Sequence, residues 1–139
     1  MMRLIFFSLI LLSFSSAHTQ PEGFYPDSSC LKIVQELKKN WRLDSMGNNG
    51  YRLANYKKFL ICNPDYLYPD YLLNAIGMPN ETWSTATESN YIYYYTTKAF
   101  PNGFTRINYI GFKVTSPRNY VVEIDIGEIK RYRDGNVSL

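Results

Sequence analysis

Hydrophobic and polar residues follow each other along this chain in three regimes. The first is an apolar stretch, Leu4 to Leu12, interrupted only by Ser8, behind a single cation, Arg3. Small residues stand at Ser15 and Ala17, placed for cleavage after Ala17. That is the layout of a secretory signal peptide, residues 1–17, whose apolar run is too short for a good membrane span. Residues 18–27, "HTQPEGFYPD", carry no period and read as a flexible lead-in.

From Cys30 the period is helical. Cys30, Val34, Leu37 and Trp41 share one side with Ile33 beside them, and Lys32, Glu36, Lys38 and Lys39 take the wet side. Asp27, Ser28 or Ser29 can cap this helix. It ends at "DSMGNNGYR", where Gly47, Asn48, Asn49 and Gly50 offer the left-handed conformations of a turn. Tyr56, Phe59 and Leu60 predict a short helix or turn closed by Pro64. A further helix starts at Tyr68 or Pro69, because proline suits a first turn. Leu72, Leu73 and Ile76 form its buried side, Gly77 stops it and Pro79 prevents continuation.

From Tyr91 the period becomes two. "YIYYYTTK" reads as a strand, "PNG" at 101–103 as a turn and "FTRINYIGFKVTS" as a second strand. After "PRN", "YVVEIDIGEIKRYR" forms a third. There Tyr120, Val122, Ile124 and Ile126 share a face opposite Val121, Glu123 and Asp125, and the later apolar position Ile129 predicts a bulge at or near Gly127. Two or three helices followed by a three-stranded antiparallel meander make an α+β fold, a two-layer sandwich. It forms one domain over residues 28–133, with a C-terminal tail at 134–139.

Composition narrows the setting. The chain has 139 residues, with 15 Lys and Arg against 12 Asp and Glu. Losing the leader removes one cation, so the excess that remains is too slight and too evenly spread to argue for nucleic acid. "KRYR" at 130–133 is the densest basic run and reads as a solvated strand end. Cys30 and Cys62 in an exported chain point to a disulfide, stabilising by about 3–4 kcal/mol, with two buried thiols as the alternative. A catalytic thiol is disfavoured, since the one histidine, His18, stands at the cleavage site.

Catalytic patterns are sparse. Glu123 and Asp125 lie two apart on one strand face, a spacing that hydrolases and metal sites use, but an apolar opposite face makes them a solvent-facing sheet edge. "DSMGNNG" resembles a calcium loop without its alternating acidic positions or distal Glu. No cofactor or metal is implied, and the expectation is a protein that is not an enzyme. Thirteen tyrosines are the strongest remaining feature. Tyr91, Tyr93 and Tyr95 project from one face, with Ile92 and Tyr94 on the other. An uncovered face would show aromatic rings suited to protein or glycan recognition, whereas the alternative is aromatics covering a thin core. Tyr91, Tyr93, Tyr95 and Trp83 are therefore the candidate binding residues. The sequons at Asn80 and Asn136 matter only in a glycosylating source.

The passage "YLLNAIGMPNETW", followed by "YIYYY", resembles the SmpA/OmlA (BamE-like) domain of bacterial envelope proteins over roughly residues 53–130. The matching positions are Leu73, Ile76, Gly77, Pro79 and Asn80, then Tyr91, Tyr93 and Tyr94. The signal peptide and the "DSMGNNGYR" turn are also similar to those of exported proteins from Bacteroidetes-type bacteria. The resemblance implies a periplasmic, non-catalytic interaction domain with a protein partner, among outer-membrane or envelope proteins. The best-known members are lipoproteins, whereas Cys30 follows "YPDSS", which is no lipobox. Two alternatives remain: an inhibitor-like binder of a secreted enzyme, and a hydrolase using Glu123 and Asp125.

Overall fold

The computed structural model describes residues 29–139; the expected signal peptide and lead-in, with His18, Asp27 and Ser28, lie outside the described residues. Helix α1, Ser29–Leu43, buries the stripe its spacing predicts: Cys30, Val34, Leu37 and Trp41. The Ser29 hydroxyl accepts the Asn63 N–H at 2.8 Å, so it fastens the helix start to a later segment. Beside it Cys30 and Cys62 form a disulfide, their Cα atoms 5.0 Å apart. Two short helices follow, α2 (Tyr51–Asn55) and α3 (Lys57–Leu60). Helix α4, Pro69–Ile76, carries its proline in the first turn and ends at Gly77, with φ 89° and ψ −179°. That conformation is essentially confined to glycine, which explains why the helix stops there.

The sheet has five antiparallel strands in chain order, not three: β1 (Glu81–Ser84), β2 (Glu88–Ala99), β3 (Phe104–Thr115), β4 (Val121–Tyr132) and β5 (Val137–Ser138). The long β2, β3 and β4 are the expected meander. β1 pairs Glu81 with Ile92 and Ser84 with Ser89, and β5 pairs Val137 with Arg131. Neither edge strand carries an alternating apolar pattern, because neither buries a full face. The bulge expected near Gly127 is absent. The register runs unbroken through Tyr109 and Gly127, and shifts fall between Tyr94 and Thr96 and between Lys113 and Val114. The second shift turns Val121 into the core, fully buried, reversing the face expected for it, while Ile126 keeps its expected face opposite Ile110 but is 48% exposed.

The helices cover one sheet face. Their Val34, Leu37, Trp41, Phe59 and Leu72 meet Tyr93, Tyr95, Ile110, Phe112 and Val121 in the main core. Edge-to-face ring pairs run through it, Trp41 on Phe59 at 5.1 Å and Phe59 on Phe112 at 5.2 Å, an arrangement that suits aromatic quadrupoles. The opposite face carries a second core of Ile92, Tyr94, Ile107, Tyr109 and Ile129, with Trp83 packed against it. Among the described residues no helix covers it; the sheet curls and buries these side chains against one another. Arg131 of β4 reaches both Glu81 of β1 and the Tyr94 hydroxyl, although a flat sheet would hold β1 and β4 about 14 Å apart. Gly127 leaves room for the curl, since a Cβ there would strike the Tyr109 ring.

Candidate functional site

The helix-to-sheet passage is held by a buried cation. Arg52, on α2, is buried, and its Nε donates to the Trp41 carbonyl at 3.0 Å. Its Nη1 lies 3.0 Å from the Ser45 carbonyl, 3.0 Å from Asn80 Oδ1 and 2.9 Å from the Tyr94 carbonyl. Asp44 is buried nearby, and its carboxylate accepts the N–H groups of Asn49 and Arg52 at 2.9 and 2.8 Å. The "DSMGNNG" segment is therefore a turn whose one carboxylate is occupied by backbone. Burial pushes the Arg52 pKa down to about 10, opposed by the Asp44 charge, and leaves the group cationic at neutral pH. Asn80 completes the junction. Its amide donates to Ser45 O at 2.8 Å, and its Oδ1 also accepts Tyr94 N–H at 2.9 Å. The Tyr93 hydroxyl donates to the Gly77 carbonyl at 2.8 Å, tying the helix stop to β2.

The candidate binding tyrosines do not form an exposed surface. Tyr93 and Tyr95 lie beneath the helices, and Tyr91 is half-buried against the same core. Tyr95 stacks on Tyr56 at 3.9 Å. Burial holds the Tyr93 phenol well above its usual pKa and pushes Tyr95 up to about 12, with Tyr56 adding to the latter. The helices cover the face carrying odd-numbered tyrosines, and that choice is invisible in the alternation itself. Trp83 is on the other face, half-buried, edge-on to Tyr109 at 5.2 Å and donating to Glu81 at 3.0 Å. The four expected residues are thus divided between two cores.

Glu123 and Asp125 do share the helix-free face. Glu123 is mostly solvated and pairs with Lys113 at 2.5 Å. Asp125 departs from the solvent-edge expectation: it is half-buried, with Oδ1 lying over Gly111 beside the Asn90 amide. Burial first, then the Glu123 charge, raises its pKa above the ordinary carboxylate value. None of the three clefts described here is lined by either carboxylate.

A cleft of about 450 Å³ between α1 and α4 is lined by Lys38, Lys39, Arg42, Leu43, Asn74 and Ala75. Leu43 is 70% exposed, and Met46 and Met78 are exposed at the same end of the molecule. Asn80, two residues after Met78, bonds to Ser45 O and to Met46 Sδ at 3.7 Å, while Arg42 donates to the Asn74 carbonyl. A separate cleft of about 270 Å³, at the sheet end, is lined by hydroxyls such as Thr85, Thr87 and Ser116, and by Tyr91. No family model, curated protein or solved structure matches the chain. Nothing in these comparisons identifies an SmpA/OmlA domain.

Sequence reasoning missed Lys38, Lys39, Arg42, Leu43, Met46 and Met78. The lysines read as the wet side of a helix, which they are. Only the docking of α4 turns that side into a cleft wall. Leu43 and Met46 carried a usable signal, since they lie beyond the last buried position of α1 and have no helical partner to cover them.

Proposed function

We propose that this protein is an exported, non-catalytic interaction module that binds another protein through the helical side of its fold. The observation that carries the reading is that Leu43, which lines the α1–α4 cleft, and Met46 and Met78, which follow the ends of α1 and α4, are all left exposed. Three large flexible side chains in solvent are costly in a domain with two cores able to hold them, and methionines suit surfaces that adapt to a partner. The Cys30–Cys62 disulfide supports an oxidising compartment, periplasmic or extracellular. Among the described residues no helix is long and apolar enough to cross a membrane. The SmpA/OmlA resemblance adds a partner class, outer-membrane or other envelope proteins, and a role in envelope assembly or maintenance. An inhibitor-like binder of a secreted enzyme would use the same patch.

The test compares wild type with a Leu43→Asp/Met78→Asp variant, crosslinked in the exporting cells, with co-purified proteins quantified by mass spectrometry. Both positions are exposed, so the fold should persist, which circular dichroism checks. At least one exported or envelope protein should accompany the wild type and be lost from the variant. Identical recoveries, or none, contradict the reading.

A further inference from the structure

We propose that the α1–α4 cleft seats an acidic amphipathic peptide segment of the partner, an inference that rests on the binding reading above. The main cleft, about 450 Å³, continues into a narrower one of about 150 Å³ that shares Lys38, Asn74 and Ala75 and adds Gln35 and Tyr71. One trough therefore follows α1 from residue 35 to residue 43, about 12 Å along the helix axis. That length and volume fit two or three inserted side chains. Leu43 and Ala75 give it apolar walls.

Its charge is what names the occupant. Lys38 donates to the Gln35 side-chain oxygen at 3.2 Å, and Arg42 donates to the Asn74 carbonyl. Neither these two nor Lys39 faces a carboxylate among the described residues. Elsewhere Lys58, Arg106, Lys113, Lys130 and Arg131 each do, and Lys57, Lys98, Arg118 and Arg133, which do not, line none of the three clefts. Three cations without counter-charges stand around an apolar trough, and the fold needs only Arg42, which satisfies a carbonyl in the last turn of α4. A segment with leucine or phenylalanine on one side and glutamate or aspartate flanking them would cover the apolar surface and neutralise the rim together. A planar anionic membrane meets the charges but cannot enter a concave trough between two helices. A bare phosphate backbone leaves the apolar wall uncovered.

The test is selection of the folded, disulfide-bonded protein against a random-peptide display library, followed by fluorescence anisotropy with the winning peptides. Enriched sequences should place acidic residues around large apolar ones. Their affinity should fall at least tenfold in the exposed Lys38→Glu/Lys39→Glu variant, fall with added salt, and hold in Arg118→Glu on the far hairpin. No enrichment, enrichment of neutral or basic peptides, or equal binding by the charge-reversed protein overturns the proposal. So does lysine-dependent flotation with phosphatidylglycerol vesicles in the absence of peptide binding, which would replace the peptide by a membrane. If Leu43→Asp/Met78→Asp loses its cellular partner while selection yields nothing acidic, the module reading survives and the acidic segment falls. If both experiments fail, both fall.

Discussion

Replacing Arg52 by methionine keeps much of the side chain's length and apolar stem while deleting the guanidinium. Four acceptors lie within 2.9–3.0 Å of that group: the carbonyls of Trp41, Ser45 and Tyr94, and Asn80 Oδ1. Asn80 Oδ1 keeps a donor in Tyr94 N–H and Ser45 O keeps one in the Asn80 amide, so the carbonyls of Trp41 and Tyr94 are the two that the substitution strips. An unsatisfied buried acceptor costs about 1–3 kcal/mol. Lost cation–π contact with Trp41 at 5.2 Å and Tyr93 at 5.7 Å adds about 1 kcal/mol. Against this, methionine relieves the desolvation that lowers the Arg52 pKa, and water reaches some of the carbonyls. The net loss should be about 3–5 kcal/mol, as for breaking a buried ionic arrangement from one side. Urea unfolding under non-reducing conditions measures it, as a drop in midpoint at unchanged slope. Arg52→Lys should fall between the two, because an ammonium cannot reproduce a fork that reaches α1, the turn and β2 together. A loss below about 1 kcal/mol for methionine would show that packing, not this network, fastens the junction.

Three further outcomes follow from particular contacts. Asp125→Asn should leave the protein at least as stable at neutral pH. The raised folded-state pKa means that Asp125 loses stability as pH rises from the ordinary carboxylate pKa through the folded value. The wild-type deficit should therefore shrink toward about pH 4, and urea midpoints that differ equally at both pH values would contradict this. The Cys30→Ser/Cys62→Ser protein should lose about 3–4 kcal/mol for a separation of 32 residues, and a loss under about 1 kcal/mol would mean the bridge constrains little. Gly47→Ala should cost about 2 kcal/mol or more, since φ is +67° and the new Cβ would sit 2.6 Å from the Tyr95 carbonyl carbon. Gly50→Ala, at φ +85° with nothing nearby, should cost about 1 kcal/mol, and equal costs at the two sites would refute the close approach.

The elements legible in the sequence are those that local chemistry decides. The α1 stripe from Cys30 to Trp41, the Gly77 stop and the alternation in β2 all depend on neighbours within a few residues. β1 was illegible because "ETWS" has no apolar face of its own and becomes a strand by pairing with Ser89–Ile92. The parity of Tyr91, Tyr93 and Tyr95 was readable, but the covered side was not, since that depends on which way the helices fold over the sheet. Ile129 looked like a slip in phase because the sequence cannot show that the second face also has a core. Arg52 drew no reading of its own from the sequence, since its surroundings are carbonyls supplied by three separate segments. The cleft cations were hidden for the opposite reason, being exposed as expected and made into a site by α4.

The most direct test of the interaction surface is site-specific photo-crosslinking in the exporting cells. A photoreactive phenylalanine analogue would replace Met78 in one sample and Thr87, at the far end of the sheet, in another. A discrete higher-mass adduct to one protein from position 78, absent from position 87, is the predicted result. Equal adducts from both positions, or none from position 78 while the protein is folded and exported, would contradict a partner bound on the helical side.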